Sequence, residues 1–359
     1  MLSGVSSNLS MMPNSTKTIQ CMYTMYFIQE PSFAIGLITV VTCFLTGILS
    51  ITGAMANSLV CGAILRNRDL QNYSNILLLL LSVNDFLVAF VTQPLYIVRR
   101  VLESQHSYIC WITLCYRSLW NISIGVSFLV VTLISCERCF ALFHPFKYKI
   151  HVSVPRLLLT TLLLSGLWIV FVLSRFFGLN NESYYYITTS LLMIFIIIIT
   201  IAHVKIFILA RRHHVQISMT SCAASESNET SSDRKPSKRR RNHYTAREAK
   251  IAKSTAFIVG AVFVCYFPLM IALITSNLIN HEYLFHYYVF PWTDVLVFLN
   301  CVLNPAIYCW RSRELRTAIV KLIGVLRKKS KVGTNQFISK SFKKRNKVNG
   351  SQPKPTVVQ

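Results

Sequence analysis

The chain has 359 residues, 53% of them hydrophobic and only 14% charged, against roughly 25% charged in an ordinary soluble domain. That deficit points to lipid as the solvent and excludes a single soluble core. The 37 Lys and Arg against 13 Asp and Glu give a formal charge of +24, but the cations are confined to particular segments, and no nucleic-acid partner is expected.

Residues 1–32 read as an extracellular amino-terminal segment lacking the basic start, apolar run and small-residue cleavage site of a secretion signal. Asn8-Leu9-Ser10 and Asn14-Ser15-Thr16 are glycosylation sequons there, and Asn181-Glu182-Ser183 is a third in a short loop. Uncharged or nearly uncharged stretches follow at 33–65, 75–98, 109–137, 155–176, 184–209, 252–277 and 286–309. A hydrocarbon core needs about 20 residues of helix, so each stretch can span one. The expected fold is therefore an all-α membrane protein with a seven-transmembrane helix bundle across 33–310.

Between the fifth and sixth spans, a Ser/Thr/Asn/Glu stretch from Ser218 to Asp233 runs into the basic block Arg234 to Arg241. This composition predicts a disordered loop over 212–247. At 311–327, Leu315, Ile319, Leu322, Ile323 and Leu326 fall at helical spacing among cations, the pattern of a short amphipathic cytoplasmic helix. Residues 328–359 form a basic tail expected to be disordered.

Orientation follows from the cations. With the amino terminus outside, only Lys17, Arg99, Arg100, Arg117 and Arg175 of the 37 basic residues fall off the cytoplasmic side. Of the 11 cysteines, most lie within spans and none has zinc-ligand spacing. Cys21 and Cys110 are the candidate disulfide pair on the outer side.

Asp85, Arg117 and Asp294 are ionisable groups inside spans, where they are functional candidates by default. Asn300 and Asn304 share a helix face, Pro305 weakens the local ladder, and Asn57 and Ser127 lie at similar depth. Two readings stand open for Asp85, Ser127, Asn300 and Asn304: an interhelical hydrogen-bond network, or a sodium site of oxygen donors. Glu137-Arg138-Cys139 closes the third span, followed by Pro145 and Phe146, and by itself reads as an interfacial ion pair. Cys265-Tyr266-Phe267-Pro268 and Asn304-Pro305-Ala306-Ile307-Tyr308 place prolines within the sixth and seventh spans.

Seven spans with Asn57, Leu81 to Asp85, Glu137-Arg138-Cys139, Trp168, Phe267-Pro268 and Asn304 to Tyr308 in this order resemble the rhodopsin-class G protein-coupled receptors. The resemblance implies that Arg138 pairs with Glu137 and Glu248 when inactive and is released toward a G protein on activation. It further implies that Pro145 and Phe146 contact the transducer, that Pro268, Pro305 and Tyr308 belong to the switch, and that Asp85, Ser127, Asn300 and Asn304 hold an allosteric sodium ion. No cysteine occurs between Arg175 and Tyr184 and the fifth span has no proline. These absences, with Phe207 to Arg211 and Arg311 to Arg316, are similar to melanocortin-type receptors, although the acidic cluster of those receptors is missing. Three positions depart from the family pattern: Cys139 for a tyrosine, Tyr266 for a tryptophan, and His203 for a tyrosine in the fifth span. His203 reads either as a hydrogen-bonded neutral ring or as a pH-sensitive element.

The ligand pocket is expected at Arg117, Trp120, Asn121, Tyr266 and Asp294. Trp120 replaces the aspartate of amine receptors and Phe298 the retinal-binding lysine of opsins, so neither an amine nor retinal is expected. Arg117 pairs internally with Asp294 or holds an anion of lipid or nucleotide type. The implied function is reception of an extracellular ligand at the plasma membrane and activation of a heterotrimeric G protein, with kinase and arrestin as cytoplasmic partners and membrane lipids around the bundle. No catalytic constellation is visible. The alternatives are a non-coupling receptor-like scaffold and a transporter, the latter disfavoured by the lack of paired broken segments.

Overall fold

A computed structural model of the protein describes residues 9–11, 17–22, 24–27, 32–226, 257, 260–276, 278–279 and 281–325. Six helices among these are long and apolar enough to cross a membrane: Phe33–Arg66, Tyr73–Ser104, Cys110–Phe143, Val154–Phe177, Ser183–Ile208 and Phe285–Trp310. The shorter apolar helix Gly260–Ser276 lies between the last two. These are the first to seventh spans below, with Gly260–Ser276 the sixth. Exposed apolar side chains such as Phe44, Ile51, Leu167, Val170, Ile197 and Val264 face outward, which is stable in lipid, where every backbone group is satisfied inside its own helix.

The first span packs on the second and seventh, and the third packs on the second, fourth and fifth. The third span is therefore central, and its Tyr116, Phe128, Val130 and Val131 are almost fully buried. The fourth span reaches it through a close approach at Gly125, described below. Val154–Leu173 then tightens into a 3-10 turn at Ser174–Phe177. It ends on Gly178 at φ +93°, a left-handed position that glycine adopts without steric cost.

Prolines shape two spans. A π turn at Val88–Thr92 lies directly before Pro94, and another at Phe285–Val289 directly before Pro291. Proline supplies no N–H and crowds the carbonyl four residues back, and a π turn accommodates this with one extra residue. In the second span the Ser50 hydroxyl, from the first span, donates to the Ala89 carbonyl at 2.6 Å within that turn. An extra residue rotates everything beyond it by about 100°, which directs Arg99, Arg100 and Glu103 into the bundle. All three are at most 4% exposed.

The amino-terminal residues add to the helical expectation. Leu9–Met11, Lys17–Cys21 and Thr24–Phe27 form an antiparallel sheet in chain order, with Cys21 paired to Thr24 at its last turn. A disulfide joins Cys21 to Cys110 at the start of the third span, Cα to Cα 5.4 Å, which ties the sheet to that end of the bundle. A second difference lies after the fifth span. The helix Asn181–Glu226 includes 212–226, where composition alone predicts disorder. No Gly or Pro interrupts the chain from Asn181 to Lys235, so nothing local stops the helix. After the seventh span, Ser312 breaks the helix and 313–325 turn helical again, with Leu315 and Ile319 buried. The Ser312 hydroxyl accepts from the Leu315 N–H at 3.1 Å, an ordinary N-cap.

Candidate functional site

At the end of the bundle that carries the disulfide, a cavity of about 430 Å³ opens between the spans. This lies in the range of small-molecule sites. Arg117, Trp120, Asn121, Tyr266 and Asp294 all line it, so the structure brings together every residue expected of the pocket. Tyr116, Trp120 and Phe298 form an aromatic floor, with ring centroids 5.9 Å apart for Tyr116 and Trp120 and 5.1 Å for Trp120 and Phe298.

The expected internal ion pair between Arg117 and Asp294 is not made within 4.0 Å. Asp294 instead accepts from the Tyr116 hydroxyl at 3.4 Å. The two charges sit on different spans, and the tyrosine directly before Arg117 takes the carboxylate. The Arg117 Nε is buried without a hydrogen-bond partner.

Above this floor lies a buried charge cluster. Glu103, 1% exposed, binds His286 Nε2 at 2.7 Å, Arg100 Nη1 at 3.2 Å and Arg99 Nη2 at 3.5 Å. Arg100 donates also to the Thr39 hydroxyl at 3.1 Å, and the Tyr287 hydroxyl donates to Glu103 at 3.4 Å. The cluster thus ties the first, second and seventh spans together. Arg99 and Arg100 are legible in the sequence only as cations near a span end. Their i,i+4 and i,i+3 spacing to Glu103 is a local signal, but the His286 partner is 183 residues away and carries no signature.

Deeper in the bundle, Asp85 is 1% exposed and accepts from Asn304 Nδ2 at 2.8 Å. Ser127, of the same expected set, accepts instead from Asn84 Nδ2 at 2.8 Å. Asn57 donates to the carbonyls of Gly53 and Cys301, at 2.9 and 2.8 Å. The side-chain oxygens of Asn57, Asn300 and Asn304 are buried with no hydrogen-bond partner, as is the Tyr308 hydroxyl. Pro305 sits inside this stretch of the seventh span.

At the opposite end, Arg138 Nε lies 2.7 Å from Glu137 Oε2, with both side chains at most 9% exposed. The Tyr148 hydroxyl, on the short helix Pro145–His151, donates to the other oxygen of Glu137. Burial, then the Glu137 carboxylate, push the Tyr148 phenol well above the ordinary tyrosine range, so it remains a donor. Phe146 on the same helix is 85% exposed. His203 Nδ1 is 2.9 Å from the Ile199 carbonyl and must donate there, which a neutral and a protonated ring both do.

Comparison with known proteins matches residues 56–308 to the seven-transmembrane receptor (rhodopsin family) model. The chain belongs to the rhodopsin family of seven-transmembrane receptors. It is 24% identical over 301 residues to melanocortin receptor 5 of Homo sapiens, covering 79% of this chain and 83% of that one. It is 32% identical over 130 residues to neuromedin-U receptor 2 of Rattus norvegicus, covering 35% and 32%. It is 29% identical over 142 residues to cannabinoid receptor type 1B of Takifugu rubripes, covering 39% and 29%. The protein is thus a multi-pass membrane receptor of a family that is not enzymatic.

For this receptor, Glu248, Asn8 and Asn14 lie outside the described residues, as do 227–247 and the tail 328–359. Asn181 begins the fifth-span helix. Pro268 lies in the sixth span beside Phe267, which is 59% exposed, while Tyr266 packs on Phe128 with ring centroids 4.8 Å apart. Tyr266 thus lines the cavity and rests on the third span, which carries Ser127 directly before Phe128.

Proposed function

We propose that the protein is a ligand-operated receptor of the plasma membrane, amino terminus outside, that activates a heterotrimeric G protein at its cytoplasmic end. The observation that carries this reading is a lined cavity at one end of the bundle and a buried Glu137–Arg138 pair at the other, with the buried polar residues around Asp85 in the bundle as well. Its mechanism is a two-state equilibrium. A ligand favours the active state only by binding it more tightly. In the inactive state Glu137, itself held by Tyr148, holds Arg138; in the active state Arg138 and Phe146 meet the transducer. Membranes carrying the receptor are expected to accelerate guanine-nucleotide exchange on at least one member of a G protein panel above membranes without it. Exchange no faster than in empty membranes, with and without extracts applied as ligand source, would defeat the reading.

Tyr148→Phe removes one hydrogen bond to a charged acceptor, worth about 1.5 kcal/mol or up to about tenfold in the equilibrium. Ligand-free exchange is expected to rise by several-fold within that bound. An unaltered basal rate at equal surface amount would show that Tyr148 does not restrain the pair.

The Asp85 region fits a sodium ion. It offers one buried carboxylate and the partnerless oxygens of Asn300 and Asn304, a donor set of oxygens alone that suits a hard cation. Sodium there would stabilise the inactive packing of the second, third and seventh spans. Replacing potassium by sodium is expected to slow basal exchange by about fivefold or more, and Asp85→Asn to remove that difference. A sodium effect of equal size in both proteins counts against the site.

A further inference from the structure

We infer that this cavity takes an acidic amphiphile: an anionic head group on Arg117, and a single apolar chain in the groove between the fifth and sixth spans. The charge balance gives the head group. Arg99, Arg100, Arg117 and Arg175 line the cavity, with Asp294 as the one carboxylate among the described residues that line it. Glu103 is committed to Arg99 and Arg100, and Asp294 to the Tyr116 hydroxyl. Among the described residues no carboxylate comes within 4.0 Å of the Arg117 guanidinium, and its Nε is partnerless. A cation left unpaired at membrane depth is costly, and an anion brought to it removes that cost through charge-assisted hydrogen bonds. Arg175 is presented at the wall by stacking over Tyr184, 4.3 Å from Cζ to the ring centroid. A cationic ligand would meet an excess of like charge.

A second cavity gives the chain. It measures about 180 Å³ and, apart from Tyr266, every lining residue is Phe, Met, Ile or Val. It shares Tyr266 and Met270 with the arginine cavity, so the two adjoin. Its outer wall includes Phe267, Ile271 and Ile274, which are 59%, 49% and 50% exposed on the lipid-facing side. A hydrophilic anion leaves this groove empty, and a neutral lipid leaves Arg117 unmatched; a molecule with one acidic end and one chain fills both. Tyr266 then touches the ligand while its ring rests on Phe128 of the third span.

That the cavity is a signalling site rests on the proposed receptor function, whereas the chemistry of its occupant does not. Two head groups share that chemistry, a carboxylate and a phosphate monoester. The test uses the full chain purified into phosphatidylcholine nanodiscs, with tritiated oleate and tritiated oleoyl lysophosphatidate as probes. Uncharged monoolein and inorganic phosphate are the competitors. The expected result is saturable binding of one or both probes that neither competitor displaces, with the probe that binds naming the head group. Arg117→Ala is expected to weaken it by about tenfold or more, Arg117→Lys to restore part of the loss, and Met270→Trp, at the junction, to weaken the oleoyl probes while sparing octanoate. Ligand-free melting of each variant separates lost binding from lost folding. Binding that is absent for both probes, displaced equally by monoolein, matched by inorganic phosphate alone, or unchanged in Arg117→Ala overturns the inference. Amphiphile binding without nucleotide exchange leaves the inference standing and defeats the receptor reading, while exchange without such binding does the reverse.

Discussion

Glu103→Gln is expected to destabilise the receptor by about 3–5 kcal/mol, the usual cost of removing one partner from a buried ion pair. The carboxylate is 1% exposed and serves four groups, Arg99, Arg100, His286 and the Tyr287 hydroxyl, on two spans. Glutamine keeps the volume and one acceptor oxygen but leaves two guanidinium groups uncompensated. Because Arg100 also holds Thr39, the loss spreads to the first span. A ligand-free melting curve in detergent reads it directly. Arg100→Gln placed on Glu103→Gln should recover part of the lost stability by removing one unpaired cation, a non-additivity expected of residues in contact. A melting point for Glu103→Gln within error of the wild type would show that water or lipid head groups reach the cluster.

Gly125→Ala is the second large effect. A Cβ at this position would lie 1.8, 2.0 and 2.3 Å from Cε2, Nε1 and Cζ2 of Trp168, far inside van der Waals contact. The indole has little freedom to retreat, since Trp168 is 6% exposed and its Nε1 donates to the Asn121 carbonyl at 3.1 Å. Overpacking of a fixed core commonly costs about 1–3 kcal/mol, and here it also separates the fourth span from the third next to the ligand cavity. The expected result is a lower melting point together with loss of surface expression. In a Trp168→Ala background the same substitution should cost little, because the clashing ring is gone. A full penalty in both backgrounds would place the strain elsewhere.

Much of the bundle is legible in the sequence because lipid imposes a coarse rule: about 20 apolar residues per span, with cations at the ends. Asp85, Arg117 and Asp294 stand out for the same reason, as charges where charges are costly, and Arg117, Trp120, Asn121, Tyr266 and Asp294 do converge on one cavity. Partners are less legible. Asp294 takes Tyr116 and not Arg117 because hydrogen-bond choice depends on how two spans are rotated. On the seventh span that rotation includes the π turn before Pro291, which a sequence shows only as a proline in an apolar run. The Glu103 cluster is hidden for the same reason, since the extra residue at Val88–Thr92 rephases the helix that carries it. The small sheet at Leu9–Phe27 rests on short strands whose polar and apolar residues alternate weakly, and its anchor, Cys21 to Cys110, joins positions 89 residues apart.

The central claim is that this bundle transmits a conformational change to a G protein through Arg138. It is tested most directly by guanine-nucleotide exchange with wild type and Arg138→Ala compared at equal surface amounts, across a panel of G proteins. The account predicts exchange above empty membranes for the wild type and a fall to the empty-membrane rate for Arg138→Ala, with the ligand-free melting points of the two proteins close together. Equal exchange from both, or none from either in the presence of an acidic amphiphile that binds the cavity, would contradict it and leave a receptor-shaped protein that does not couple.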